Sequence, residues 1–266
     1  MTEKSDIIKI VKNLFITIML SILTHQFLLF KKKEIWFYNG ESINEADYTT
    51  YCYVQNNFNL QSDSELKEFT TTLDLTQNEN DLFNSINTTF KYHIRKAEKQ
   101  NFQFISTSNP SVDDCKRLIK LFKEFAAEKK ISSMNKRRIF ALQQSNNILI
   151  TTIKQENTDI VTHVYLYDKN RIVLMHTFHN LNYLDHQIRG YANKYLHWKD
   201  ILLFKEMNFK IYDFGGIDLE KVPGISHFKL SYGGKTEEVN SYTRIAPALK
   251  LFFKLYKLIR KKINNH

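Results

Sequence analysis

The clearest alternation of apolar and polar positions lies in the middle of the chain, and it predicts three consecutive strands. They cover Asn147 to Ile153, Ile160 to Tyr167 and Arg171 to His179. The polar turns between them, Glu156-Asn157-Thr158 and Asp168-Lys169-Asn170, have the length of hairpin loops. The pattern therefore predicts an antiparallel meander.

Helical spacing of apolar residues predicts helices on both sides of this meander. The strongest signals lie between Ser111 and Lys129, where Ser111 is placed to cap a helix whose first turn holds Asp113 and Asp114. The same spacing predicts three more helices, over residues 82–100, 134–142 and 192–208. The first of these carries basic residues along one side.

The segment before residue 34 is apolar but short. Its one compact apolar run, Leu14 to Leu23, is followed by His25 and Gln26, whereas a spanning helix needs about 20 mostly apolar residues. We favour an amphipathic helix packed on the domain or on a bilayer surface, with a marginal membrane span as the alternative. Strands are predicted within residues 34–54, on both sides of a polar turn, and over residues 70–75 and 102–105.

The last segment, Ala246 to Lys262, predicts a basic amphipathic helix. Leucines and lysines each recur there at helical spacing, in two separate stripes. Such a helix is typical of a membrane-surface element, and the alternative is a helix packed on the domain with solvated lysines.

The concentration of basic residues at the two ends of the chain supports the membrane interpretation. The 266 residues carry a formal net charge of +10, to which residues 1–33 contribute six lysines against two acids. After Glu238 there are seven basic residues and no acidic ones. The body is thus close to neutral, which argues against a DNA-binding domain, because such domains carry a basic stripe through the fold. The two cysteines form no metal-ligand spacing, so no metal is expected and a cytoplasmic location fits.

Glycines mark where a functional site is expected. Six of the seven lie between Gln187 and Gly234. The predicted helix start at 187–192 exposes backbone amides, and its glycine permits close approach, which suits an anion. The candidate cofactor-binding residues are Gln187, Arg189, Gly190, Tyr191 and Ala192.

Three runs of sequence resemble a known group of enzymes. The pattern Gln187-x-x-Gly190-x-Ala192 is similar to the pyrophosphate-binding signature of GNAT acyltransferases. The run YLHWKDILLFKEMNFKIYDFGGI, followed by GISHFKLSYGG, resembles the C-terminal part of the Fem group of peptidoglycan-bridge aminoacyltransferases and its smaller relatives in envelope-polysaccharide gene clusters. The upstream run HIRKAEKQNFQF resembles another segment of that group.

The resemblance implies an α/β (α+β) fold, a GNAT-like, mostly antiparallel mixed sheet flanked by helices. The expected units are an N-terminal amphipathic helix at 1–33, a reduced N-terminal lobe at 34–110, an acyltransferase lobe at 111–245 and a basic C-terminal helix at 246–266. The chain is shorter than a two-lobed Fem enzyme. An acyl-CoA such as acetyl-CoA is therefore at least as good a donor candidate as aminoacyl-tRNA.

The resemblance also assigns roles to residues. Lys229 would stabilise an oxyanion or a phosphate, or else is a surface lysine. Asp213 would act as a base or anchor an amine, unless it caps the following Gly-Gly turn. His197 and His227 can titrate near neutral pH, although His197 also fits a packed core position. Candidate substrate-binding residues are Arg95, Tyr195, Tyr212 and Tyr232.

The predicted function is transfer of an acetyl or aminoacyl group to an amine or hydroxyl of a cell-envelope glycan or peptidoglycan precursor. The acceptor would be lipid-linked, because the basic helix would hold the enzyme on the inner face of the cytoplasmic membrane. The alternative is a catalytically silent, membrane-associated scaffold of a polysaccharide biosynthesis complex. Nucleic-acid binding driven by the net charge is least favoured, apart from tRNA as a donor.

Overall fold

The fold is built on one mixed β-sheet. The computed structural model describes residues 19–27, 30–38, 40, 43–54, 60–183 and 185–264. In this part of the chain ten strands form the sheet: β1 Leu20–Phe27, β2 Phe30–Trp36, β3 Tyr48–Val54, β4 Ser64–Asp74, β5 Gln103–Thr107, β6 Ile148–Gln155, β7 Thr158–Tyr167, β8 Arg171–His179, β9 Ile211–Ile217 and β10 Lys235–Ile245. Their order is β1-β2-β3-β10-β4-β9-β8-β7-β6-β5. The pairs β2/β3 and β8/β9 are parallel and the others antiparallel.

Helices cover both faces of the sheet. Seven are described: α1 Glu79–Ser85, α2 Thr88–Ala97, α3 Val112–Lys129, α4 Lys136–Gln144, α5 His186–Glu206, α6 Pro223–Leu230 and α7 Pro247–Asn264. Helices α3 and α4 share one core cluster with Val164 and Leu166 of β7, while α1, α2 and α5 share a second cluster with Tyr165. Alternate residues of β7 thus enter different cores, which explains why its sequence is apolar on both faces.

Several elements match the sequence predictions. The meander β6-β7-β8 is antiparallel throughout. Helix α3 begins with a capping box, in which the Ser111 side chain accepts from the Asp114 amide and the Asp114 carboxylate accepts from the Ser111 amide. The basic helix at the end of the chain is also present as α7.

Other predictions were wrong. The helix expected over residues 1–33 is a strand at Leu20–Phe27, and residues 1–18 of it lie outside the described part. The helix expected over 82–100 is two helices, because Asn87 caps a new one with its side chain on the Thr89 amide. The segment expected as a loop carrying Lys229 is helix α6. Strand β10, which lies inside the sheet between β3 and β4, was not predicted.

The division into an N-terminal lobe and an acyltransferase lobe stays a prediction. The sheet itself runs across the expected boundary at residues 110/111. Strand β5, before that boundary, pairs with β6, after it. Strand β4, also before it, pairs with both β9 and β10.

Candidate functional site

The parallel strands β8 and β9 separate soon after they begin. Their pairing covers only Arg171↔Ile211, Ile172↔Tyr212 and Val173↔Asp213. Beyond that point β8 continues on β7 alone and β9 on β4 alone. Because the strands are parallel, their carboxyl ends open at one edge of the sheet, which is where ligands bind in α/β folds. Helix α5, the connection between the two strands, starts at the same edge.

Two backbone features accompany the separation. The register of β8 on β7 shifts between Tyr165↔Leu174 and Val164↔His176, so Met175 is an extra residue in β8. Gly215 of β9 has φ +77°, and a Cβ there would lie 2.8 Å from the carbonyl oxygen of Leu174. Glycine therefore allows the two backbones to approach at the point where they diverge.

Asp213 forms a buried ion pair beneath this point. Its carboxylate accepts from Nε and Nη2 of Arg171 at 3.1 and 2.5 Å, and from the Gly215 amide at 2.7 Å. Thr70 donates a further hydrogen bond from β4. Arg171 and Asp213 are 4% and 0% exposed. The geometry therefore gives Asp213 the turn-capping role that was the alternative to a base, and adds an ion pair.

Lys229 reaches the same turn from α6. Its Nζ donates to the carbonyl oxygen of Gly216 at 2.6 Å. Burial lowers the pKa of Lys229 from 10.5 to about 8, although Asp213 favours the charged form. Lys229 is thus a half-buried cation whose charge is lost just above neutral pH.

His197 lies at one end of a buried chain of polar groups. Its Nδ1 is 2.8 Å from the Tyr212 hydroxyl, which is 3.3 Å from the Tyr165 hydroxyl, which donates to Asp200 Oδ2 at 2.6 Å. Asp200 accepts from Tyr165, and the directions of the other two hydrogen bonds depend on the tautomer of His197. With the proton on Nδ1, where it would be donated to the Tyr212 hydroxyl, Nε2 keeps its lone pair.

The pKa of His197 supports a neutral imidazole. Burial lowers it well below 6.5, and His163, Lys229 and Lys194 lower it further. His197 packs against the rings of Phe214, Phe228 and Tyr232. It is therefore both packed and unprotonated at neutral pH, and a catalytic role for it stays a prediction.

His163 extends the network towards the start of α5. Its Nδ1 is 2.8 Å from Asp200 Oδ2 and its Nε2 is 2.9 Å from Asn193 Oδ1. His163, His197 and Asp200 form the set of three possible metal ligands that the described residues bring together, with ligand atoms within 4.8 Å. The His163 nitrogen and the Asp200 oxygen already bond to each other. The sequence-based expectation that no metal is bound stays a prediction.

A basic groove of about 330 Å³ lies beside the first turns of α5. Lys129, His179, His186, Arg189 and Gly190 are among the residues that line it. Burial, together with the positive charges of Arg189 and Lys129 and the nearby His186, lowers the pKa of His179 to about 4. This positive field suits an anionic ligand.

The start of α5 differs in detail from the expected phosphate cradle. The helix begins at His186, so residues 187–192 lie inside it rather than before it. Asp185 caps the helix by accepting from the Ile188 amide at 2.9 Å. Its carboxylate stands where an anion would meet the helix end, so anion binding would rely on the Arg189 side chain more than on backbone amides.

The other predicted site residues are spread around this region. Gln187 is exposed, Tyr191 packs on His93, and Ala192 is buried. Tyr212 and Tyr232 are fully buried, and Tyr195 is partly buried against a core cluster. His227 and Arg95 are exposed, with Arg95 lying over the Phe83 ring. Their proposed contacts with substrate stay predictions.

Sequence reasoning did not find Arg171, His163, Tyr165 or Asp200. A signal existed for two of them. Asp200 is a charged residue in the apolar run WKDILLF, and His163 is a polar one in IVTHVYLY. Polar groups in elements that are buried on both sides require partners. The partners come from other elements, so only the fold identifies them.

Together, the separated parallel strands, the bulge in β8 and the helix between the strands define the GNAT-like α/β fold that was expected, and the Fem-type resemblance is confirmed at the level of the fold. Among solved structures the chain is similar to FemX, with a TM-score of 0.55 and 13% identity over 72% of this chain and 63% of that one. It is also similar to L-PGS from Bacillus licheniformis, with a TM-score of 0.52 and 11% identity over 85% and 81% of the two chains.

A conserved protein of unknown function from Bacteroides thetaiotaomicron has the same fold, with a TM-score of 0.52 and 12% identity over 79% and 78% of the two chains. No protein-family model and no curated protein matches the chain. The chain spans less than two thirds of the length of FemX. These likenesses establish the fold.

Proposed function

We propose that this protein is an acyltransferase that moves an acetyl or aminoacyl group from acyl-CoA or aminoacyl-tRNA to an amine or hydroxyl of a cell-envelope glycan or peptidoglycan precursor. One observation carries the proposal: the edge where β8 and β9 separate has the cation of Lys229 on one side and a basic groove on the other. Such an edge suits a donor that joins a reactive acyl group to phosphate.

The donor would lie with its phosphates in the basic groove. Arg189 can pair with phosphate oxygens in a fork geometry, and Lys129 adds a second positive charge from α3. Both CoA and the end of a charged tRNA carry phosphate, so the groove fits either donor. The acyl group of the donor would then reach into the opening between β8 and β9.

The transfer step needs little beyond positioning and charge. The acceptor nitrogen or oxygen attacks the acyl carbon, the carbonyl oxygen becomes an oxyanion, and the bond to the donor sulfur or oxygen then breaks. Lys229 in its charged form would stabilise the oxyanion. Nε2 of His197 would take the proton of the acceptor and return it to the departing donor group. Holding the two reactants together supplies much of the remaining rate.

The decisive experiment measures donor binding and transfer separately. Thermal shift with acetyl-CoA and with other acyl-CoAs should show stabilisation that Arg189→Ala weakens by at least roughly tenfold in apparent affinity. Lys120→Ala, on an exposed part of α3, is the matched control. Transfer from acyl-CoA or from charged tRNA to envelope glycan precursors is then followed by mass spectrometry. No stabilisation by any acyl-CoA and no transfer from charged tRNA would contradict the proposal.

A silent scaffold is the second candidate. It is favoured by one observation, namely that Asp213, Tyr212 and Tyr232 are used for packing and internal hydrogen bonds. In cells, Lys229→Ala separates the two functions. Loss of glycan modification with an unchanged level of folded protein supports the enzyme, and retained modification supports the scaffold.

A further inference from the structure

Helix α7 leaves large apolar side chains in solvent. Of the sixteen large hydrophobic residues that are exposed in the described part of the chain, five lie on this helix: Leu251, Phe252, Phe253, Leu255 and Tyr256. Each is at least 40% exposed. Five such residues on one helix indicate an interaction surface rather than scattered surface residues.

The helix is held on the sheet in a defined orientation. Leu249 is 5% exposed, and the Phe252 ring is 5.5 Å from the Phe30 ring of β2. Lys250 pairs with Asp63, just before β4. The Ala246 amide donates to the Asp47 carbonyl oxygen at 2.7 Å, just before β3. The exposed face of α7 therefore points in a fixed direction.

Cationic side chains border this exposed face on two elements. An apolar groove of about 260 Å³ between α7 and β2 is lined by Phe30, Leu249 and Phe253, with Lys31 and Lys32 at the same place. On α7, Lys254 is exposed beside Leu251 and Leu255. Lysines next to exposed leucines and phenylalanines form the pattern of a helix lying in a lipid headgroup region.

We propose that this surface, formed by α7 and the lysines of β2, binds an anionic lipid bilayer. We call it the α7 surface and define it by Lys31, Lys32, Leu251, Lys254 and Leu255. Charge complementarity selects the occupant. The surface so defined holds three lysines and no acidic residue, so a second copy that met it with the same surface would bring lysines against lysines, whereas anionic headgroups neutralise them.

Binding would be peripheral. Among the described residues there is no helix with the length and apolar character needed to cross a membrane. Leucines and phenylalanines would enter the headgroup boundary while the lysines stay at the level of the phosphates. The surface acts independently of the acyl donor, so it can be tested without any substrate.

The test is sedimentation of the full chain with vesicles of phosphatidylglycerol and phosphatidylcholine at a 1:3 ratio, against phosphatidylcholine alone, with no acyl donor present. We expect binding to the anionic vesicles only. The double variant Lys31→Glu/Lys254→Glu should weaken it by at least roughly 25-fold, since each of the two lysines near a charged surface contributes about fivefold. The control Lys120→Glu/Lys123→Glu makes the same charge change on α3, where both lysines are exposed.

A second variant tests the apolar contribution. Leu251→Ser/Leu255→Ser keeps the charge and changes two exposed residues, so the fold is retained, which circular dichroism verifies. It should remove the binding that persists at high salt. Absence of wild-type binding, equal weakening by the α3 control, or no effect of the leucine variant would each overturn the proposal. So would a stable dimer in analytical ultracentrifugation that the leucine variant dissociates.

Discussion

The ion pair between Arg171 and Asp213 allows a sharp test of whether Asp213 acts in chemistry or in structure. Asp213→Ala removes the acceptor of two Arg171 hydrogen bonds and of the Gly215 amide. It leaves a guanidinium that is 4% exposed without its main partner. Breaking a buried pair in this way costs about 3–5 kcal/mol.

The lower end of that range applies here. A Glu237 carboxylate oxygen lies 3.6 Å from Arg171 Nη2 and would compensate part of the charge. We therefore expect Asp213→Ala to lower the free energy of unfolding by ~3 kcal/mol. The double variant Arg171→Met/Asp213→Ala should cost less than the sum of the single changes by ~2 kcal/mol, because neither buried charge is then left alone.

The assay is urea unfolding followed by circular dichroism at pH 7, with acyl transfer measured on the same samples. Asp213→Asn keeps the shape and serves as the second control. A cost below ~1 kcal/mol for Asp213→Ala, or strictly additive single changes, would refute the structural argument. An Asp213→Asn variant that stays stable but loses all transfer would instead establish Asp213 as a base.

Three further predictions follow from the same edge of the sheet. Lys229→Met should abolish transfer, and wild-type transfer should fall as pH rises through about 8. The pKa of Lys229 is lower in the folded than in the unfolded chain, so between about pH 8 and 10.5 the unfolded chain binds more protons. The stability of the wild type should therefore rise over this pH range relative to that of Lys229→Met. The expected rise, reduced for solvent screening, is ~1–2 kcal/mol in urea unfolding at stepped pH. Gly215→Ala should cost ~2 kcal/mol or more because its Cβ meets the Leu174 carbonyl oxygen at a positive φ, and a neutral effect in thermal unfolding would contradict the close approach. Tyr212→Phe should cost ~1–3 kcal/mol by leaving Nδ1 of His197 unpaired, and should lower kcat more than it changes KM; an unchanged kcat would exclude His197 as the base.

The sequence predicted those elements whose structure depends on interactions between residues close together in the chain. The meander was found because hairpin turns separate its apolar runs, and α3 because Ser111 and Asp114 can cap each other within one turn. Strand β1 was missed because an uninterrupted apolar run has no period that separates a strand from a helix. Strand β10 was missed because its sequence KTEEVNSYTRI is largely polar, and only pairing with β3 and β4 makes it a strand.

The candidate site was predicted only in part, because many of its contacts join residues that are far apart in the sequence. Lys229 and Asp213 were identified from the resemblance of the sequence to the Fem group, and both lie near one turn of β9. The partner that holds Asp213 comes from β8, 42 residues earlier. Asp200 and Tyr165 meet although 35 residues separate them. Only the packing of α5 on the sheet brings such groups together.

The position of β10 has a consequence for how this chain folds as it is synthesised. This strand is made after the other nine strands of the described sheet, yet it lies between β3 and β4. Its Glu238 pairs with Lys67, which lies 171 residues earlier. Until it emerges, β3 and β4 each expose an unpaired edge, which is prone to association with other chains. We therefore expect ribosome-bound chains that stop before residue 235 to depend on chaperones. Helix α7 follows β10 directly in the chain, so it would be oriented only once the sheet has closed.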